Sequence, residues 1–217
     1  MIIFVQDFFV DHYKGGAELT SEAIIQDSLF PINKVMSSNV TKKTMKKWKD
    51  CLWIFGNYAN LSEECLFYAL KNLNYATIEY DYKHCVYRSI EKHIEAEGSC
   101  DCHTTRKGKI VSMFINNSKL SFWMSKKQME IHQQIFPFLN SDKNKVLSSI
   151  FSQDTIEFIE SLDTNKKNNK WLILNSPSWI KGTEDAITYA KENNLEYELV
   201  WNLEYKELLK KMASSKG

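Results

Sequence analysis

Two kinds of apolar segment alternate along the chain. Short apolar or β-type runs at residues 2–5, 32–36, 52–55 and 76–80 have the length and content of buried strands. Between them the apolar positions spread out to helical spacing. Leu61, Cys65, Leu66, Ala69, Leu70 and Leu73 mark one face of a helix, with Asn60 or Ser62 as its cap and Glu63 and Glu64 in its positive first turn. The alternation continues with a helix over 110–115, a strand over 120–124, a helix over 125–135 opened by Ser125, a strand over 145–149 and a helix over 152–162. Residues 81–109 break the rhythm. They are rich in Cys, His and charge and read as a long functional loop.

The polar stretch Asp163-Thr-Asn-Lys-Lys-Asn-Asn169 reads as a linker. Beyond it the pattern predicts strand 171–174, helix 183–192, strand 198–201 and helix 205–212. Strands alternating with helices predict an α/β fold: a Rossmann-like parallel sheet with helices on both faces over residues 1–162, a linker at 163–169, and an incomplete second βαβα unit over 170–217. Two strands cannot cover both faces of a parallel sheet. The sequence is therefore expected to be truncated or completed by another chain, with self-association through this second unit as a consequence.

Composition narrows the function. The 217 residues are 43% hydrophobic, enough for a real core. Lys+Arg is 28 against Asp+Glu 27, a net charge of +1. That balance argues against nucleic acid as a partner, because phosphate-backbone binders carry a basic excess. Lys42, Lys43, Lys46, Lys47 and Lys49 cluster, and read as a solvated helix face or a patch toward an anionic membrane or phosphorylated acceptor. The start lacks a basic leader, and no apolar run approaches the ~20 residues of a membrane span. These features predict a cytoplasmic location and five cysteines that are not in disulfides.

Four segments carry candidate chemistry. Lys14-Gly-Gly-Ala-Glu18 follows the first strand and opens a helix, so Gly15 and Gly16 let backbone approach an anionic ligand at a helix N-terminus. Glu79-Tyr-Asp-Tyr-Lys-His-Cys85 follows the fourth strand and puts Tyr80 and Asp81 where open α/β sheets hold ligands. The loop after it holds His84, Cys85, His93, Cys100, Cys102 and His103. Cys85, Cys100, Cys102 and His103 offer four zinc ligands that would order this loop; the alternative is a set of free thiols. In Asn175-Ser-Pro-Ser-Trp-Ile-Lys-Gly182, Lys181 lies near a helix start as a point charge for phosphate.

Together these segments resemble GT-B glycosyltransferases of the retaining, family-four type, cut off soon after the start of the second domain. The Gly15-Gly16 segment resembles the family's Gly-Gly-Ala-Glu loop, and 80–85 its His-Asp-Tyr-Trp-x-x-Cys segment with Tyr80 in place of the His. The 175–182 segment resembles the Arg-…-Lys-Gly element, with Asn175 near the place of the Arg. The resemblance implies a nucleotide-sugar donor, a glycan, lipid-linked or protein acceptor, catalytic Asp81 and Tyr80, and donor-phosphate contacts from Gly15, Gly16, Lys181 and Gly182. The family's downstream pair of donor-site glutamates is absent, so the chain alone is expected to be inactive. A non-catalytic module that binds a phosphate ligand, nucleotide sugar or glycan is the alternative.

Overall fold

A computed structural model describes residues 1–216 and forms two compact units, Met1–Ser152 and a second from Gln153 onward. In the first unit the elements run β1 (Ile2–Gln6), α1 (Gly16–Gln26), β2 (Ile32–Met36), α2 (Lys42–Lys47), β3 (Leu52–Phe55), α3 (Glu63–Asn72), β4 (Asn74–Glu79), α4 (Ile90–Glu97), α5 (Arg106–Asn117), β5 (Ser121–Trp123), α6 (Lys126–Ile135) and β6 (Asn144–Val146). The strands form one parallel six-stranded sheet in the order β2-β1-β3-β4-β5-β6. This is the expected α/β, Rossmann-like architecture.

The side-chain alternation of the central strands explains why both faces need cover. Ile3, Val5, Trp53, Phe55 and Tyr75 enter one core with Leu66 and Ala69 of α3 and Phe114 of α5. Phe4, Ile54 and Ile78 point to the other face, where Ile24 and Ile25 of α1 pack. Aromatic contacts tie the first core together: the Tyr75 and Phe114 rings stack at 4.6 Å, and the Tyr75 hydroxyl donates to the Phe114 carbonyl at 2.7 Å.

The segment 81–109, expected to be a loop, contains α4 and the first turn of α5. The caps account for the difference. The Ser89 hydroxyl accepts from the Lys92 N–H, and Gly98 ends α4 in the left-handed region at φ 81°. The Thr105 hydroxyl accepts from the Gly108 N–H and opens α5.

The second unit runs α7 (Gln153–Glu160), β7 (Trp171–Leu174), α8 (Thr183–Glu192), β8 (Tyr197–Val200) and α9 (Tyr205–Ser214), with β7 and β8 parallel. The helix expected to close the first domain at 162 belongs to this second unit, which begins at Gln153. The polar segment 163–169 separates α7 from β7 inside the unit. Among the described residues no helix is long and apolar enough to cross a membrane.

Candidate functional site

Sheet order places the first site. The chain leaves β1 to form β2 on one side and returns to form β3 on the other, so the connections part between β1 and β3. Ligands of open parallel sheets bind in the crevice beyond the carboxyl ends of strands at such a switch point. Gln6 ends β1 there and Asp7 follows it, Gly56 and Asn57 follow β3, and further along the same edge Tyr80 and Asp81 follow β4 and Met124 and Ser125 follow β5.

These residues build a buried polar network around Arg88. Asp7 is an anchor: its carboxylate accepts from the Ser37 hydroxyl and from the backbone N–H groups of Ala59 and Asn60, both at 3.1 Å. Arg88 Nη1 lies 3.7 Å from Asp7, while Nη2 reaches Asp81 at 2.5 Å and donates to the Asn57 side-chain oxygen at 2.7 Å. The Arg88 backbone is left-handed, at φ 56°, an uncommon state for a non-glycine residue. Asp81 Oδ1, Arg88 Nε and both amide atoms of Gln6 are buried without a hydrogen-bond partner in the chain. Such orphaned groups are costly unless a ligand or water meets them.

A cavity of about 350 Å³ opens beside this network, lined by Tyr80, Asp81, Tyr82, Arg88, Ser89, Met124, Ser125 and Gln128. Gln128 is held in place, accepting from the Met124 N–H at 2.9 Å and donating to the Glu79 carbonyl at 2.9 Å. Arg88 also lines a second cavity, of about 220 Å³, with Tyr58, Lys83 and the apolar side chains of Leu61, Leu66, Ile110 and Val111. Lys83 belongs to a buried ion pair: its Nζ is 3.1 Å from Glu79, which also accepts from the Tyr58 hydroxyl at 3.2 Å. Burial raises the Glu79 carboxyl above its ordinary range, against the opposing pull of Lys83.

The predicted residues fall unevenly on this geometry. Asp81 lines the crevice with one oxygen unpartnered. Tyr80 lines it too, but its hydroxyl is turned to α1 and bonds Ser21 at 2.5 Å, and burial raises its pKa. Gly15 is the N-cap of α1 and Gly16 its first residue. A Cβ at Gly15 would stand 2.5 Å from the Glu18 carboxylate, whereas one at Gly16 would meet nothing. Only Gly15 therefore marks a close approach. Glu18, buried in the first turn of α1, is held above the ordinary carboxylate range chiefly by burial. In the second unit, Lys181 is exposed and Gly182, at φ 71°, is the N-cap of α8 without a side-chain cap. Thr183 Oγ1 ties this turn back to β7 through the Leu174 carbonyl at 2.9 Å.

The cysteine and histidine cluster assembles with one correction. The metal-ligating atoms that converge are those of Cys85, His93, Cys100 and Cys102, all within 4.8 Å of one another. His103 is not among them. It is adjacent to Cys102 in a single tight turn, Cys102–Thr104, and its ring packs 6.4 Å from Phe136. His93 reaches the sulfurs from α4, which the sequence reading took for loop. His84 is also elsewhere, packed edge-on against His132 and Phe136. All five cysteines are free thiols, and burial raises the Cys85 thiol and takes that of Cys100 up to about 12. The cluster's donor set suits a metal ion of zinc's chemistry.

Sequence reasoning missed Arg88, Asn57 and Asp7. Asp7 and Asn57 had a signal available, since each closely follows an apolar strand run. Arg88 had none.

No protein-family model matches the chain, and no curated protein matches it in sequence. Among solved structures it resembles an α-glucosyltransferase in complex with UDP and a 13-mer DNA containing an HMU base. The TM-score is 0.52 at 11% sequence identity, covering 97% of this chain and 59% of that one. The chain thus spans less than two thirds of that structure's length. At this identity the likeness shows a glycosyltransferase-like fold.

Proposed function

We propose that the chain is part of a retaining, family-four-type glycosyltransferase that moves a sugar from a nucleotide-sugar donor to a glycan, lipid-linked or protein acceptor. The observation that carries this reading is the cavity beyond β4 and β5, where an Asp81 oxygen and Arg88 Nε have no partner in the chain. A sugar presents hydroxyls that both donate and accept, and so suits a carboxylate beside a guanidinium. The fold shared with an α-glucosyltransferase supports the same reading.

In this reading the first unit is the acceptor side and the second unit the start of the donor side, as in the family the sequence resembles. Transfer breaks the bond from the sugar's anomeric carbon to the diphosphate oxygen, and negative charge builds on the leaving diphosphate. Lys181 and the uncapped N-terminus of α8 are the groups of this chain that stabilise such charge. Asp81 accepts from a sugar hydroxyl, and Arg88 fixes Asp81. Tyr80 keeps its proton, its pKa being raised, and acts by positioning α1 through Ser21. That arrangement, with exposed Asn175 near the place of an arginine, also favours a second reading: a module that binds glycan or nucleotide sugar without turning it over.

The test is titration of the chain with a panel of nucleoside-diphosphate sugars and oligosaccharides, followed by NMR. We expect shifts in residues 80–89 and 124–128, with affinity falling roughly 10-fold or more in Asp81→Asn. The chain alone is expected to release no sugar from any donor. Donor turnover above that of a Lys181→Ala control would refute the inactivity, and a panel that shifts none of these residues would refute the sugar site.

A further inference from the structure

The Cys/His cluster has a ligand geometry that can be tested against a particular ion. Cys85 and Cys100 sulfurs stand 3.8 Å apart, and His93 Nδ1 is 3.4 Å from the sulfurs of both Cys85 and Cys102. A tetrahedral zinc with bonds of ~2.3 Å to sulfur and ~2.1 Å to nitrogen separates its ligands by ~3.8 Å (S to S) and ~3.6 Å (S to N). These three spacings match those of a tetrahedron around one small ion, and all four ligand atoms lie within 4.8 Å of one another. Cys85, His93 and Cys102 are buried, and four protein ligands leave no open position for substrate.

The surroundings are also those of a metal site. His93 turns Nδ1 to the sulfurs and places Nε2 3.0 Å from Glu97, which also accepts from the Tyr87 hydroxyl at 2.9 Å. A carboxylate on the far nitrogen fixes the tautomer that leaves Nδ1 bare for a metal.

We propose that Cys85, His93, Cys100 and Cys102 hold one structural zinc ion, oriented by Glu97, and that this ion fixes the turn carrying Arg88. The turn is closed on itself: the Cys85 N–H donates to the Tyr82 carbonyl at 2.8 Å, the Arg88 N–H to the Cys85 carbonyl at 3.1 Å, and the Tyr82 N–H to the Arg88 carbonyl at 3.3 Å. Holding Cys85 therefore holds Arg88 in its left-handed backbone, aimed at Asp81 and Asn57. The ion ties that turn to α4 and to the turn before α5. It orders the wall of the crevice and takes no part in bond-breaking.

Metal analysis of the full chain, grown with zinc and purified without a metal column, is expected to give about one zinc per chain. Cobalt exchanged into the site is expected to show the intense visible bands of a tetrahedral thiolate-rich centre. His93→Gln is expected to lose that spectrum and His103→Gln to keep it. Glu97→Gln is expected to keep the spectrum and weaken zinc binding about 10- to 100-fold. Zinc removal by a chelator is expected to speed amide exchange across 82–105 while the central strands stay protected. A folded, metal-free chain that gives no cobalt spectrum overturns the proposal, as does a Cys85–Cys100 disulfide, or a spectrum lost in His103→Gln and kept in His93→Gln. Should His93→Gln fail to fold, the wild-type spectrum and Glu97→Gln still decide. Metal content reads this inference alone and saccharide titration reads the sugar site, so either can fail without the other.

Discussion

His84 and His132 give the first unit a defined response to acid. Both are fully buried and pack in one aromatic group with Tyr82, Trp123 and Phe136. His132 Nδ1 donates to the Gln128 carbonyl at 2.9 Å, so Nε2 is the bare nitrogen, and it has no partner. Burial lowers His84 from 6.5 to about 4 and His132 to about 3, with repulsion from His103 adding to the first and repulsion from His84 and Lys83 to the second. Depressed values mean the neutral rings stabilise the fold above pH 6.5, and that stability is lost as pH falls toward 4 and then 3. Burial of Glu18 and Glu79 works the other way, since raised carboxyls stabilise at low pH and lose that contribution as pH rises. We expect the two histidines to cost on the order of 3 kcal/mol each across the acid range. Denaturant midpoints at pH 7 and pH 4.5 check this, with His132→Gln showing the smaller drop; equal drops in variant and parent would remove His132 from the account.

At the scale of elements, the start of α5 depends on one glycine. A Cβ at Gly108 would stand 2.1 Å from the Cys102 carbonyl oxygen, so α5 lies directly against the turn that supplies a proposed zinc ligand. Gly108→Ala must push that backbone aside and is expected to cost about 1–3 kcal/mol. Gly16→Ala, where a Cβ meets nothing, is the control and should be neutral or slightly stabilising. Urea unfolding that ranks the two alike would show that the turn gives way freely. The same elements show what the sequence could and could not convey. The strands at 2–5, 52–55 and 76–80 were legible because burial on both faces requires continuous apolar runs, and α3 because its Ser62 cap and its spacing agree. α4 was hidden because its apolar positions are few and its visible signals, Ser89 and Gly98, are only terminal. With α4 missed, His93 had no direction, and its neighbour in sequence to Cys102, His103, took its place. Asp81 was legible from its position after a strand. Arg88 was not, because its guanidinium reaches the crevice through a positive-φ turn that no spacing rule announces.

At the scale of the whole molecule, the second unit poses the question of what covers its sheet. β7 and β8 pair only with each other among the described residues, and Leu174, Leu199 and Trp201 expose 56%, 43% and 50% of their surface. A parallel sheet normally has both faces buried, and an unpaired strand edge offers backbone groups to any strand that comes near. The first unit has edges of its own at β2 and β6, but its six strands carry a core on each face. The first unit exposes apolar side chains too, but the two most exposed, Leu29 and Phe30, lie outside its sheet, so association through strands should depend on the second unit. We expect the full chain to self-associate with rising concentration in sedimentation velocity, and a chain of residues 1–152 to stay monomeric with its sheet folded. The division at Ser152 matters here, because a cut at 162 would leave α7 attached to the first unit without the second-unit neighbour that Phe158 has in Lys206, 5.1 Å from its ring. A full chain that remains monomeric at every concentration, beside a 1–152 chain that aggregates, would show that the first unit leans on the second and that the exposed strands attract no partner.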